Sequence, residues 1–126
     1  MNKFSIVIPI LNEEKNIKRL INRIKLYVKN IKFEIIFVDD NSNDNSLLVL
    51  KKIKSKNKNK KFFIRKNQYR DLSQSCILGF NKAKYENIIV MDGDLQHDPK
   101  HIPKLINKYL SENLDLVVGA RNFSNF

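Results

Sequence analysis

The sequence lacks several features that would place it in other protein classes. It has one cysteine, Cys76, so no internal disulfide can form, and we expect a reducing, cytoplasmic setting. The apolar segment at residues 4–11 is too short to span a membrane, and it contains Pro9. It runs into Glu13 and Glu14 without a cleavage site, so we expect no secretory signal. Neither a G-x-G-x-x-G dinucleotide fingerprint nor a G-x-x-x-x-G-K-[ST] phosphate loop occurs.

Acidic residues are few relative to basic ones. The sequence has 13 Asp and Glu against 24 Lys and Arg, which gives a net charge of +11. Such a charge attracts polyanions and anionic lipid headgroups. The other interpretation is that the lysines are solvated, including the dense cluster at residues 51–61, which we predict to be a helix end and a connecting loop. A polyanion-binding module gives no reason for acidic residues to gather at strand ends, and we expect no nucleic-acid partner.

The apolar pattern predicts strands that alternate with helices in one domain of 126 residues. Continuous apolar runs are typical of strands that are buried on both faces of a parallel sheet. Five such runs occur, at residues 4–9, 33–38, 62–64, 88–91 and 114–118. Alternating strands and helices imply right-handed crossovers. The predicted fold class is therefore α/β, with a Rossmann-like, mostly parallel sheet flanked by helices.

Four helices are predicted between these strands. The first has a clear apolar stripe at Ile17, Leu20, Ile21, Ile24, Val28 and Ile31. The second has apolar positions at Leu47, Leu48, Leu50 and Ile53, and the third carries Ile77, Leu78 and Phe80. The fourth begins near Asp98-Pro99, which offers an N-cap and a preset first helical residue, although Pro103 blurs its start. Its predicted core face consists of Leu105, Ile106, Tyr109 and Leu110.

Acidic residues follow two of the predicted strands directly. Asp39 and Asp40 follow the second strand, and Asp92-Gly93-Asp94 follows the fourth. Because ligands of parallel α/β sheets bind at the carboxyl ends of the strands, we expect these acids to meet in one crevice. Two carboxylates on either side of a glycine can converge on a hard cation such as Mg²⁺ or Mn²⁺. Each pair alone can also be read as turn-forming or helix-capping residues.

Several single residues near the strand ends allow more than one interpretation. Glu13 lies at a helix start, where a carboxylate commonly interacts with the helix dipole. Arg121 follows the fifth predicted strand and could approach a phosphate or simply be solvated. His97 and His101 lie four residues apart, but no third ligand has zinc-like spacing, so we predict a role other than metal binding for both.

Four motifs together resemble a known family. In order, the chain carries IVIPILNEE, EIIFVDDNSND, NIIVMDGDLQHDP and LVVGAR. This series is similar to the family 2 inverting glycosyltransferases, above all to the dolichyl-phosphate and polyprenyl-phosphate mannose synthase group, over essentially the whole chain. The resemblance implies a glycosyltransferase A type of fold and dependence on Mg²⁺ or Mn²⁺. It also implies transfer of mannose or glucose from a donor such as GDP-mannose or a UDP-sugar to a dolichyl or polyprenyl phosphate.

The resemblance also implies roles for individual residues. It assigns the nucleotide pocket to Pro9, Leu11 and Glu13, and the base and ribose contacts to Val38 and Asp40. The metal and diphosphate are assigned to Asp92, Gly93, Asp94 and Gln96, with Asp92, Asp94 and Gln96 as the metal ligands. Arg121 matches an arginine that reaches the donor. The usual aromatic residue of the first motif is Leu11 here, which leaves base stacking open, and no catalytic base is assigned.

Family members continue past the last of these motifs with an acceptor-binding segment and often membrane-associating helices. We therefore expect residues 1–126 to be an incomplete nucleotide-sugar-binding domain, truncated at the C-terminus, with peripheral association at the cytoplasmic face of a membrane. Two alternatives stay open, a donor-binding remnant without activity and a phosphoryl-transfer domain of the receiver or phosphatase type. The phosphatase pattern places its paired aspartates after the first strand, and a receiver needs an aspartate after the third.

Overall fold

The fold is built on a four-stranded parallel sheet. The computed structural model describes residues 2–56, 58–66 and 69–120. The strands are β1 (Lys3–Ile10), β2 (Lys32–Asp39), β3 (Lys60–Ile64) and β4 (Asn87–Val90). Their order across the sheet is β3-β2-β1-β4, and every pairing between neighbours is parallel. The predicted α/β class with a mostly parallel sheet is confirmed.

Four helices connect or follow the strands. They are α1 (Ile17–Tyr27), α2 (Ser46–Lys54), α3 (Leu72–Lys82) and α4 (Ile102–Ser111). A single 3₁₀ turn, Pro99–His101, precedes α4, and the Asp98 side chain caps this turn by accepting a hydrogen bond from the Lys100 amide. Pro103 then occupies the first turn of α4, where its missing N–H group costs no hydrogen bond. None of the helices within the described residues is long and apolar enough to cross a membrane.

One face of the sheet carries most of the hydrophobic core. Alternate residues of β1 point to this face, and α1, α2 and α4 cover it. The predicted stripe of α1 is confirmed, although the helix ends at Tyr27 and Ile31 packs only at the margin of the core. Each fully buried aliphatic side chain contributes about 1.5–3 kcal/mol through its removal from water. The buried members are Phe4, Ile6, Ile8, Ile10, Ile17, Leu20, Ile21, Ile24, Val28, Ile35, Phe37, Leu50, Ile53, Met91, Ile102 and Ile106.

The opposite face of the sheet is covered by α3, which lies against β1 and β2. The residues of α3 that are buried there are small, Ser75 and Gly79. A Cβ atom added at Gly79 would lie 2.3 Å from Cγ1 of Val7. Of the three apolar side chains by which this helix was predicted, Ile77 and Phe80 are exposed and Leu78 is half-buried. Close approach of the helix to the sheet therefore depends on its small residues.

The predicted fifth strand at residues 114–118 is wrong. This segment follows α4 without forming a strand, and Leu116 and Val118 are 76% and 73% exposed. A strand requires a hydrogen-bonding neighbour, and within the described residues β4 pairs with β1 alone. The apolar run therefore has the composition of a strand without the partner that would make it one. Leu110, predicted to face the core, is likewise 37% exposed.

A buried polar cluster joins the strands at the edge where they begin. Glu34 on β2 accepts hydrogen bonds from the Ser5 hydroxyl at 2.7 Å and the Lys84 amide at 2.6 Å, and it pairs with Lys61 Nζ at 2.8 Å. The Tyr85 amide donates to the Ser5 hydroxyl at 3.1 Å. Burial by itself raises the pKa of Glu34, but the hydrogen bonds from Lys61, Lys84 and Ser5 outweigh it and lower the pKa. The cluster ties β1, β2, β3 and the α3–β4 connection together.

Lys60 departs from the prediction that the lysine cluster forms a helix end and a solvated loop. It lies in β3, is only 3% exposed, and donates a hydrogen bond to the Asn59 side chain at 3.2 Å. Burial, with a smaller contribution from the nearby Lys25 charge, lowers the pKa of Lys60 to about 8. A run of lysines read from the sequence gives no sign that one of them points into the protein.

Gly79→Ala tests the close contact between α3 and β1. Because the new methyl group would overlap the branched Val7 side chain in the core, we expect a loss of about 1–3 kcal/mol in the free energy of unfolding. Urea denaturation measures this loss. Gly119→Ala is the matched control, since its nearest contact is Leu105 at 3.9 Å, and we expect a change of less than about 0.5 kcal/mol. Equal effects of the two substitutions would contradict the packing described.

Glu34→Gln tests the buried polar cluster through pH. Because folding lowers the pKa of Glu34 below its ordinary 4.5, its ionised form stabilises the protein above that pH. This stabilisation is lost as the pH falls through the lowered pKa of the folded state. The wild-type protein should therefore exceed the variant in stability at about pH 7, and the difference should shrink by about pH 3. Urea denaturation of the wild-type protein and the variant at each pH measures this difference, and Glu86→Gln, at an exposed position, is the control. A stability difference that does not change with pH would argue against the cluster.

Candidate functional site

Three loops gather at the edge of the sheet where the strands end. Residues 11–16 follow β1, residues 40–45 follow β2, and residues 91–98 follow β4. Because β1 lies between β2 and β4 and pairs in parallel with both, its loop is flanked by the other two. Both acidic motifs therefore follow strands that end at this edge, and their meeting in one crevice stays a prediction.

The first two loops are joined by hydrogen bonds between their side chains and backbones. The Asn12 amide donates to the Ser42 hydroxyl at 2.9 Å, and the Asn12 side-chain oxygen accepts from the Asn43 amide at 2.7 Å. The Glu13 amide donates to the Ser46 hydroxyl at 2.9 Å. Asn12 has a left-handed backbone with φ of 55°, which asparagine tolerates better than most residues. The two loops therefore form one unit.

Asp39 and Asp40 are both buried, and both serve this loop structure. The Asp39 carboxylate accepts hydrogen bonds from the amide and the hydroxyl of Ser42. The Asp40 carboxylate accepts from Arg65 Nη1 at 2.6 Å through one oxygen and from the Asp71 amide at 2.7 Å through the other. Asp71 in turn caps α3 by accepting from the Gln74 amide. Asp40 thus connects the end of β2 to the start of α3.

Arg65 is the main residue of this site that the sequence analysis missed. Its side chain is only 11% exposed, and it pairs with Asp40, whose side chain is 8% exposed. The same guanidinium nitrogen also donates to the backbone oxygens of Tyr69 and Asp71, each at 3.3 Å. The available signal was its position directly after β3, level with the other strand ends. Arg65 therefore balances the buried charge of Asp40 and holds the segment that leads into α3.

The Asp92-Gly93-Asp94 loop packs closely against the end of β1. A Cβ atom at Gly93 would lie 2.5 Å from Cδ1 of Ile10, so the glycine allows the loop to approach the strand. The Asp94 carboxylate accepts a hydrogen bond from the Gln96 amide at 3.0 Å. Leu95, between them, has a left-handed backbone with φ of 68°, unusual for leucine, and its side chain packs on the hydrophobic core.

The chemistry of the loop suits a divalent cation. The Asp92 side chain is 46% exposed, so its carboxylate is open to solvent, and Asp94 lies two residues further along the same loop. Within the described residues, no three acidic, histidine or cysteine side chains surround a common point. Two carboxylates fit a Mg²⁺ or Mn²⁺ ion that takes its remaining oxygens from a ligand or from water.

On the neighbouring helix, burial and the charge of Asp92 raise the pKa of the Cys76 thiol, which keeps it protonated.

The other predicted site residues differ in their exposure. Pro9 and Val38 are buried partners in the register of β1 and β2, whereas Leu11 is 39% exposed. Glu13 is half-buried, and its carboxylate accepts a hydrogen bond from the Asn16 side chain at 2.7 Å. Arg121 lies outside the described residues. The structure therefore brings the predicted residues of β1, β2 and β4 to one edge, where the Asp39 and Asp40 carboxylates bind neighbouring groups.

The loop after β4 is also tied to the core helices. Arg23 on α1 forms an ion pair with Asp98 at 2.8 Å. The hydrogen bond from Arg23, and next that from the Lys100 amide, lower the pKa of Asp98. Asp98 therefore anchors the far end of the loop to α1 while it caps the turn that leads into α4.

Comparison with known proteins identifies the family. Residues 5–125 match the family described as Glycosyl transferase family 2. The chain belongs to this family. Membership decides against the receiver and phosphatase alternatives. It confirms the resemblance drawn from the four sequence motifs.

Curated relatives of this family 2 chain include transferases that act on lipid phosphates, by their names. It is 37% identical over 119 residues to dolichol-phosphate mannosyltransferase of Pyrococcus furiosus, covering 94% of this chain and 33% of that protein. It is 36% identical over 123 residues to undecaprenyl-phosphate 4-deoxy-4-formamido-L-arabinose transferase of Proteus mirabilis, covering 96% of this chain and 37% of that protein. The chain therefore spans about a third of the length of these relatives.

Solved structures confirm the fold of this family 2 chain. S. aureus TarS, residues 1–349, aligns with a TM-score of 0.69 at 26% identity, covering 87% of this chain and 32% of that one. A mannosyltransferase from Pyrobaculum calidifontis, solved with GDP-Man and Mn²⁺, aligns with a TM-score of 0.68 over 85% of this chain and 32% of that one. At 16% identity, the second comparison shows the fold alone. The glycosyltransferase A type of fold is confirmed.

Arg65→Leu tests the charge balance beneath the site. Because the substitution leaves the buried Asp40 carboxylate without its cation, we expect the free energy of unfolding to fall by about 3 kcal/mol. Urea denaturation measures the change. Arg70→Leu is the matched control, because Arg70 is exposed and its side chain, among the described residues, donates to the Asn41 backbone oxygen alone; we expect about 1 kcal/mol or less. If Arg65→Leu lowered the free energy of unfolding no more than this control does, the ion pair would not hold the loop.

Proposed function

We propose that this chain forms the donor-binding part of a glycosyltransferase that transfers mannose or glucose to a dolichyl or polyprenyl phosphate. The observation that carries the proposal is the Asp92-Gly93-Asp94 loop. In a family 2 chain, it lies at the carboxyl edge of the sheet beside the joined loops of β1 and β2. The nucleoside-diphosphate sugar is GDP-mannose or a UDP-sugar, bound along this edge.

The joined loops provide the nucleotide side of the site. Leu11 is exposed at the end of β1 and presents an apolar surface to the base. Asp40 holds its carboxylate between Arg65 and the Asp71 amide, so it reaches the base or ribose only through electron pairs that remain after those bonds. Glu13 lies near the same edge, and the hydrogen bond from Asn16 orients its carboxylate. Arg121, which follows in sequence, is assigned to the phosphates.

The loop after β4 provides the diphosphate side. Asp92 and Asp94, with Gln96, would hold the Mg²⁺ or Mn²⁺ ion. When bound, such an ion neutralises charge on the departing diphosphate, an effect typically worth several kcal/mol at the transition state. Gly93 keeps the backbone close to β1, which holds the loop at the sheet edge. The Gln96 amide holds one Asp94 oxygen and thereby fixes the direction of that carboxylate.

The proposed reaction is a single displacement with inversion. An oxygen of the acceptor phosphate forms a bond to the anomeric carbon, on the face opposite the nucleotide. The bond from that carbon to the diphosphate oxygen breaks, and the nucleoside diphosphate leaves with the electron pair. A dianionic acceptor has no proton to lose, so this step needs no general base. The residues described here are assigned to donor binding within that reaction.

The names of the relatives and the charge of the chain support the proposed acceptor and location. Two relatives are named for dolichol phosphate and undecaprenyl phosphate, which are membrane lipids with anionic headgroups. The net charge of +11 favours approach to an anionic surface. The proposal therefore places the protein at the cytoplasmic face of a membrane, in peripheral contact with it.

Asp94→Asn tests the proposal. Since the substitution removes a charged oxygen ligand, we expect Mn²⁺ or Mg²⁺ to strengthen GDP or UDP binding to the wild-type chain but not to the variant. Isothermal titration calorimetry with and without the metal measures this effect. Asp115→Asn, the same change at an exposed position outside the loop, is the control and should behave as wild type. Equal nucleotide affinity of the wild-type chain with and without metal would reject the proposal.

A further inference from the structure

His97 lies against Asp92 and is not among the residues assigned above to the donor or the metal. Its Nδ1 atom accepts a hydrogen bond from the Asp92 amide at 3.0 Å. Its Nε2 atom lies 3.6 Å from Oδ2 of the Asp92 carboxylate. The ring therefore contacts both the backbone and the side chain of one residue, and it does so from five positions further along the chain.

These contacts determine the tautomer and the orientation of the neutral His97 ring. Because Nδ1 accepts a hydrogen bond, the ring hydrogen of the neutral imidazole lies on Nε2. That N–H group is on the side of the Asp92 carboxylate, but 3.6 Å is too long for a hydrogen bond, so this contact acts through electrostatic attraction. Through the bond to the Asp92 amide, the ring connects the last residues of the loop to its first residue. Its position also limits the directions that the Asp92 carboxylate can take.

The backbone between Asp92 and His97 includes a strained residue, which requires stabilising contacts. Leu95 holds a left-handed conformation with φ of 68°, which costs an L-residue of this kind about 1 kcal/mol or more. The Leu95 side chain anchors the turn from within by packing on the core. His97 is 56% exposed in its side chain and makes little hydrophobic contribution, so its position is explained by the polar contacts to Asp92.

We propose that His97 is a positioning residue that shapes the Asp92-Gly93-Asp94 loop and orients the Asp92 carboxylate for a divalent cation bound with a nucleoside diphosphate. This inference rests on the proposed function, because it assigns the loop to a metal. Outer groups that hydrogen-bond to metal ligands generally change metal affinity by about 10–100-fold when they are removed. His101 has no comparable contact within the described residues, since it lies exposed at the start of α4.

The experiment compares three variants with the wild-type chain. His97→Ala removes both contacts, whereas His97→Asn keeps an acceptor atom close to the place of Nδ1. His101→Ala is the matched control. Calorimetry measures GDP and UDP affinity with and without Mn²⁺, and electron paramagnetic resonance of free Mn²⁺ measures metal binding directly in the presence of the nucleotide. Thermal unfolding of each variant shows whether it is folded.

We expect His97→Ala to lose about 10-fold or more in Mn²⁺ affinity while its metal-free nucleotide affinity is unchanged. His97→Asn, which keeps the acceptor but loses the Nε2 contact with the carboxylate, should lose less Mn²⁺ affinity than His97→Ala, and His101→Ala should match the wild type. The inference is overturned if His97→Ala keeps wild-type Mn²⁺ affinity, or if the Asn variant loses as much as the Ala variant. A wild-type chain without any metal effect would instead refute the proposed function, and this inference with it.

Discussion

The parallel pairing of β1 with β2 on one side and with β4 on the other determines where everything else in this protein can lie. Because parallel strands end at the same edge, the chain must return across the sheet through a helix before each new strand begins. The three strand-end loops, although far apart in the sequence, therefore lie at the same edge of the sheet. Pro9 and Val38 in their register, and the close approach of Gly93 to Ile10, fix how near these loops come.

The two edges of the sheet handle buried charge in different ways. At the starting edge, Glu34 is surrounded by donors and paired with Lys61, which stabilises the sheet and leaves nothing open to a ligand. At the carboxyl edge, Asp40 is balanced by Arg65, but Asp92 remains nearly half exposed. Carboxylates that bind structural partners thus lie beside carboxylates that are available to a cation. This division separates the residues that hold the site from those that can bind within it.

Much of this arrangement could be predicted from the sequence, and the misses have physical causes. Continuous apolar runs in the sequence predict buried parallel strands. Once the strands are located, the acidic residues directly after them can be placed at the strand ends. Arg65 was missed because its partner Asp40 lies 25 positions away, a separation that no local pattern reveals. Residues 114–118 have the composition of a strand but pair with no strand in the part of the chain that the structure describes. Lys60 reads like the solvated lysines around it, and only the strand that contains it turns it inward.

The central claim is that loops from β1, β2 and β4 form one site for a nucleoside diphosphate and a divalent cation. Paramagnetic broadening of amide signals tests it directly, because Mn²⁺ broadens only nuclei close to it. With GDP or UDP present, substoichiometric Mn²⁺ should broaden the amides of residues 92–96 most strongly, then those of residues 11–13 and 40–42, while β3 and the lysine-rich end of α2 stay sharp. Broadening confined to another surface, or spread evenly over the protein, would contradict the account.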